Sequence, residues 1–244
     1  MKTVNACLAE FIGTFYLCFA GIAAILCTTS AIGGGAGLVG VALAHGLALS
    51  IGVNVFGGIS GAHFNPAVTI GMLATGRIVP VMAGAYVGAQ LAGATVAAAV
   101  CSAAFPAAAV DEASLGIPLP AAWVTPGVLV TVEFILTFLL LTSIFGTAID
   151  ERGKGVKIGG FGIGLTVAFD ILAGGPVTGA SMNPARSFGP ALVAGRWDWH
   201  LYYWIAPIAG GVAASLLYHH VLMRVPHAER PPQLSRVDLP EGRA

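Results

Sequence analysis

Apolar residues gather along this chain in long stretches, not in the alternation of a half-buried strand or the stripe of a surface helix. The stretches lie near 6–28, 37–59, 80–102, 127–148, 158–175 and 200–223. Each is close to the ~20 residues with which a helix crosses a ~30 Å hydrocarbon layer. Two shorter apolar pieces, 65–75 and 183–194, each begin at an Asn-Pro pair. They are too short to cross, so they are expected to enter the bilayer and turn back as re-entrant half-helices, with the non-helical backbone beside them buried in protein or facing a watery cavity. The pattern predicts an all-α membrane protein with six transmembrane helices and two re-entrant half-helices.

The pattern also repeats. Glu10-Phe-Ile-Gly-Thr-Phe15 in the first stretch returns as Glu133-Phe-Ile-Leu-Thr-Phe138 in the fourth, and Ser60-Gly-Ala-His-Phe-Asn-Pro-Ala67 returns as Thr178-Gly-Ala-Ser-Met-Asn-Pro-Ala185. The chain therefore reads as one transmembrane domain over 1–224, with a first three-span unit at about 1–105 and a second at about 125–224. The polar, Pro-rich stretch 225–244 is expected to be a disordered cytoplasmic tail. Three spans are an odd number, so the second unit starts on the opposite side of the membrane and the repeat is inverted. The half-helices then enter from opposite faces, and their Asn-Pro-Ala ends meet near the midplane.

Composition narrows the function. The chain is 57% apolar and 9% charged, with a mean hydropathy of +0.86, against about 25% charged residues in soluble domains. No soluble catalytic domain fits beside six spans, and no Ser/His/Asp, Cys/His or metal-ligand spacing occurs, so no enzyme activity, cofactor, metal or nucleic-acid partner is expected. Cys7, Cys18, Cys27 and Cys101 stand in apolar surroundings as small packing residues. Net charge is zero, but Lys2, Arg77, Arg152, Lys154, Lys157, Arg224, Arg230, Arg236 and Arg243 fall on the side that holds both termini, and only Arg186 and Arg196 on the other. That bias predicts cytoplasmic termini. Glu10 within the first stretch, and the recurrence of its surroundings, argue against a cleaved signal peptide.

The repeated motifs have a direct physical reading. Asn caps a helix and Pro suits its first turn, so Asn65-Pro66-Ala67 and Asn183-Pro184-Ala185 each start one. Two helix N-termini facing each other set about half a positive charge apiece at the centre, which opposes cations. Amides there that donate to a passing water oxygen turn its hydrogens outward and interrupt a proton relay. Glu10 and Glu133 are costly in a span and are read as acceptors for the backbone N–H groups of the loops that lead into the half-helices. A proton-relay role is the alternative. Asp170 has no counterpart in the first unit and no assigned role. Gly13, Gly46, Gly84, Gly88, Gly93, Gly162, Gly164, Gly210 and Gly211 are read as sites of close helix packing.

Asn65-Pro-Ala-Val-Thr69 and Asn183-Pro-Ala-Arg-Ser187, with the two Glu-bearing spans, resemble the paired signature of the major intrinsic proteins, the aquaporins and aquaglyceroporins. The resemblance implies an aquaporin-like fold and a homotetramer with a pore in each protomer. It also implies a second constriction, on the extracellular side, which maps by spacing onto His45, Ile171, Ala180 and Arg186. Arg186 there repels cations and donates to permeant oxygens. His63 is expected to brace its loop. His45, Ala180, Ser187, Ala191 and the pair Tyr203-Trp204 are similar to the water-selective branch. The set His, Ile, Ala, Arg, together with Ile171-Leu-Ala-Gly-Gly175, resembles tonoplast intrinsic proteins.

The resemblance implies a passive, proton- and ion-excluding water channel that also passes small neutral solutes, with water, those solutes and lipid as its partners. A channel mainly for ammonia, urea, glycerol or hydrogen peroxide stays open, as does a secondary transporter with inverted repeats. Heavy use of Ala and Gly and a short tail suit a cell membrane, plasma or inner.

Overall fold

The computed structural model describes residues 2–35, 37–155 and 158–224. Lys157 and the tail 225–244, with Arg230, Arg236 and Arg243, lie outside the described residues. Six long helices match the six apolar stretches: α1 (Lys2–Leu26), α2 (Gly37–Ser60), α4 (Pro80–Ala104), α6 (Pro126–Ile144), α8 (Gly159–Thr178) and α10 (Tyr202–His220). Two short ones, α3 (Pro66–Ala74) and α9 (Pro184–Ala194), match the half-length pieces. At about 1.5 Å per residue these run about 14 and 16 Å, half a bilayer each. Two more short helices were not foreseen, α5 (Ala107–Glu112) and α7 (Glu151–Lys154). The protein is a multi-pass membrane protein: its long helices are apolar enough to cross, and side chains such as Leu47, Ile51, Val55, Phe161, Leu165 and Phe169 face outward, where lipid satisfies them.

The face where α1 begins and α10 ends is called here the terminal face. α1 packs against α2 and α4, and α6 packs in the same way against α8 and α10. The units interlock: α3 lies against α10 of the second, and α9 against α4 of the first. At the crossing of α2 and α8, a Cβ on Gly46 would sit 2.6 Å from the Gly164 carbonyl oxygen, and one on Gly164 would strike Gly46 and Ser50. Gly93 and Gly210 play matching parts, each against the backbone of Phe11 or Phe134. Close packing does not extend to Gly84 and Gly88, which are exposed on the outer face of α4 with nothing near them. Apolar sequence alone cannot say which side of a lipid-bathed helix a glycine occupies. Cys18 and Cys101 are buried, whereas Cys27 is exposed just beyond α1.

α6 does not stop cleanly. It widens into a π-helical turn over Phe145–Ile149, ended by Asp150, which caps α7 through the Arg152 amide.

Candidate functional site

Each half-helix starts as its first residues dictate. The Asn65 side chain accepts from the Ala67 amide at 2.8 Å, and Asn183 accepts from Ala185 at 3.0 Å and Arg186 at 3.3 Å. Pro66 and Pro184 occupy the first turn, where no N–H is missed. The amide nitrogens then reach across: Asn65 Nδ2 donates to the Met182 carbonyl and Asn183 Nδ2 to the Phe64 carbonyl, both at 2.9 Å. The two N-termini are thereby tied head to head between the units.

The loops ahead of them share one unusual backbone. Gly61, Ala62 and Phe64 are left-handed in the first, and Gly179, Ala180 and Met182 in the second. Left-handed non-glycine residues cost about 1–3 kcal/mol each and persist only where surroundings hold them. The two buried glutamates hold Phe64 and Met182, while Ala62 donates to Ser60 Oγ (3.0 Å) and Ala180 to Thr178 Oγ1 (3.2 Å). Glu10 accepts from the backbone N–H of His63 (2.9 Å) and Phe64 (2.7 Å) and from Ser60 Oγ (2.7 Å). Glu133 accepts from Ser181 (2.9 Å), Met182 (2.8 Å) and Thr178 Oγ1 (2.7 Å). Tyr86 and Tyr203 donate to the matching carbonyls of Ser60 and Thr178. His63 adds a 3.1 Å contact from Nδ1 to Thr69 Oγ1 and packs edge-on against Tyr86. With the His63, Phe64, Ser181 and Met182 N–H groups turned to the glutamates, Gly61–His63 and Ala180–Met182 line a cavity.

That cavity, about 370 Å³, runs from the centre toward the terminal face, past Asn65, Asn183, His63, Val68 and Met72 to Arg77, Ala148 and Ile149. A second, about 280 Å³, opens toward the opposite face between Thr28, Leu38, Gly175, Gly179 and Arg186. Among the described residues the two share two lining residues, His45 and Ile171. Ala180 lines the inner cavity beside that junction and Arg186 the outer. The four residues mapped by spacing thus converge where the two cavities meet. His45 and Arg186 are each only 4% exposed. His45 Nδ1 lies 2.8 Å from the Val41 carbonyl, which fixes the ring, and Gly21 of α1 leaves room for its far edge.

Several participants were not read from the sequence. Arg186 Nη1 donates to the Gly116 carbonyl at 2.6 Å. Left-handed Ser114, Leu115 and Gly116 turn that carbonyl inward, and Glu112 anchors the segment by accepting from the Ser30 amide (2.9 Å) and hydroxyl (2.8 Å). Those bonds hold the Glu112 carboxyl below its usual range. Gln90 donates to Glu10 (2.8 Å) and to Thr69 (2.9 Å); a lone amide in an apolar span was its one available signal. Asp170 is fully buried in α8, and neither carboxyl oxygen has a partner among the described residues.

Six spans around two cavities that meet at a polar junction define a membrane channel. The chain belongs to the major intrinsic protein family, whose profile matches residues 1–218. Among similar proteins, Aquaporin TIP4-4 of Zea mays is 45% identical over 229 residues, covering 90% of this chain and 87% of the relative. Probable aquaporin TIP3-2 of Arabidopsis thaliana is 42% identical over 247 residues, covering 96% and 88%. The X-ray structure of the aquaglyceroporin from Plasmodium falciparum superposes with a TM-score of 0.76 at 26% identity, covering 90% of this chain and 97% of that one.

Proposed function

We infer that the chain is a passive water channel that also passes small neutral solutes. The observation that carries this is the junction: two cavities that, among the described residues, share His45 and Ile171, with Arg186 and Ala180 on either side. His45 and Arg186 supply polar contacts for a permeant oxygen, and the Arg186 charge repels cations. At the centre, Asn65 and Asn183 each keep one amide hydrogen free of the cross-link, and both side chains line the cavity. With the two helix N-termini behind them they form the proton and cation barrier. Glu10, Glu133 and His63 are supports of the loops. The secondary-transporter alternative is not favoured, since both glutamates are engaged by loop donors and the similar proteins are aquaporins.

Osmotic permeability of proteoliposomes, followed by stopped-flow light scattering, tests this reading. It is expected to exceed that of empty liposomes with a low activation energy, and equality with empty liposomes overturns it. Solute passage has its own support, because Ile171 and Ala180 make two of the four junction residues apolar. Ile171→His is expected to lower glycerol, urea or ammonia flux while water flux persists.

The single transmembrane domain 1–224 with its disordered tail, the homotetramer and the cytoplasmic placement of the terminal face belong to the same proposal. They are supported by the family resemblance and by the basic residues Arg77, Arg152, Lys154 and Arg224 on that face. The membrane proposed is the plasma or inner membrane, from the heavy use of Ala and Gly. A fluorescent C-terminal fusion confined to an internal membrane overturns it.

A further inference from the structure

The inner cavity ends at the terminal face on a second guanidinium. Arg77, in the connection between α3 and α4, lines it together with Ile144, Ala148 and Ile149. Its Nη1 donates to the Thr75 carbonyl (3.3 Å) and lies 3.2 Å from His219 Nδ1. Its Nη2 lies 3.6 Å from Met223 Sδ, and Cζ stands 4.9 Å from the centroid of the Phe145 ring. Phe145 is fully buried and begins the π-helical turn whose Ala148 and Ile149 line the same mouth. These contacts hold the guanidinium in place, and none of them is a carboxylate. Among the described residues the ion pairs are Arg152–Asp150, Lys154–Glu151 and Arg196–Asp198, and Arg77 is in none. Asp150, the carboxylate that follows the turn, is occupied by Arg152. Among the described residues no other Lys or Arg lines either cavity apart from Arg186 in the outer one.

We propose that Arg77 is a further selectivity-determining residue: a second fixed cation, in series with Arg186, that screens cations from the mouth on the terminal face. Charge at the neck of a path with low-dielectric walls acts more strongly than the same charge in bulk water. Two barriers in series also explain why a guanidinium in a fixed orientation is held at the edge of the water path by neutral groups. The inference rests on the reading of Arg186 as the first barrier.

The test measures potassium leak from proteoliposomes with a potential-sensitive dye, divided by osmotic water permeability so that leak is counted per conducting channel. The proteins are wild type, Arg186→Val, and Arg186→Val combined with Arg77→Met, Arg77→Gln or Arg77→Lys. Removing the second charge is expected to raise leak about three- to tenfold over Arg186→Val alone, the scale of one charge at a partly solvated neck. Arg77→Lys keeps the charge and is expected to stay within about twofold. Gln replaces Met in the comparison if Met disturbs the mouth enough to stop water conduction. Leak in Arg186→Val that neither Met nor Gln increases overturns the proposal and leaves the Arg186 reading intact. Leak that appears only in the double variants supports it while overturning Arg186 as a barrier whose loss alone opens the path to cations. Leak in none of them overturns both.

Discussion

Asn65 and Asn183 divide one amide among three jobs: the oxygen caps its own half-helix, one hydrogen binds the other unit's loop, and the second hydrogen is left for the cavity. Aspartate keeps only the first. It removes the donor, faces a carbonyl with like polarity, and places negative charge where two helix N-termini supply positive. Asn65→Asp and Asn183→Asp are therefore expected to raise cation leak in a proteoliposome flux assay; unchanged leak in both would count against the dipole account. Asp170 is the opposite case, a polar residue with no partner among the described residues. Burying a carboxyl without hydrogen bonds is unfavourable, so Asp170→Leu is predicted to stabilise the fold by about 1–3 kcal/mol, seen as a higher thermal midpoint in detergent. At this scale the sequence was legible where residue type and position carry the same message, as at Asn-Pro. Gln90 was not, because its value depends on Glu10 and Thr69, 80 and 21 residues away.

The half-helices and their loops behave as units. Of four left-handed non-glycine residues, Phe64 and Met182 donate to the two carboxylates, and Ala62 and Ala180 donate to the Ser60 and Thr178 hydroxyls that those carboxylates hold. Glu10→Gln or Glu133→Gln turns part of that acceptor into a donor facing N–H groups. Each is predicted to cost about 2–5 kcal/mol, measured as a fall in thermal midpoint, while a proton-relay role would leave stability near wild type. The segment beneath Arg186 adds a pH dependence. Glu112 titrates lower in the folded protein than its ordinary 4.5 because the Ser30 amide and hydroxyl bond the charged form. A depressed folded value means that this contribution is full above about pH 4.5 and is lost as pH falls through the lower value. Hydrogen exchange in 107–116 should therefore rise on acidification below that range, and Glu112→Gln should remove the pH dependence. Length and the Asn-Pro starts made α3 and α9 readable in advance. This outer segment was not, because short irregular backbone is specified by distant contacts such as Glu112 with Ser30 and Arg186 with Gly116.

For the molecule as a whole, the decisive contact is the one that joins the two units. α2 and α8 cross with Gly46 and Gly164 backbone to backbone, so that a side chain on either must displace main chain of the other unit. Both cavities run beside this crossing, and His45 on α2 and Ile171 on α8 face the junction from its two partners. Widening the crossing would separate those residues as well as weaken the fold. Gly164→Val is accordingly expected to lower thermal stability by more than about 3 kcal/mol, beyond the usual range for single changes, and to abolish water flux. Gly84→Ala and Gly88→Ala make the contrast, since each adds a methyl to open space on the outer face of α4. There the gain in helix propensity, about 1 kcal/mol, meets no steric opposition. Their thermal midpoints should equal or exceed wild type, and water flux should persist. Equal damage from all three variants would mean that glycine is required along these helices in general, and not at the crossing where the inverted units meet.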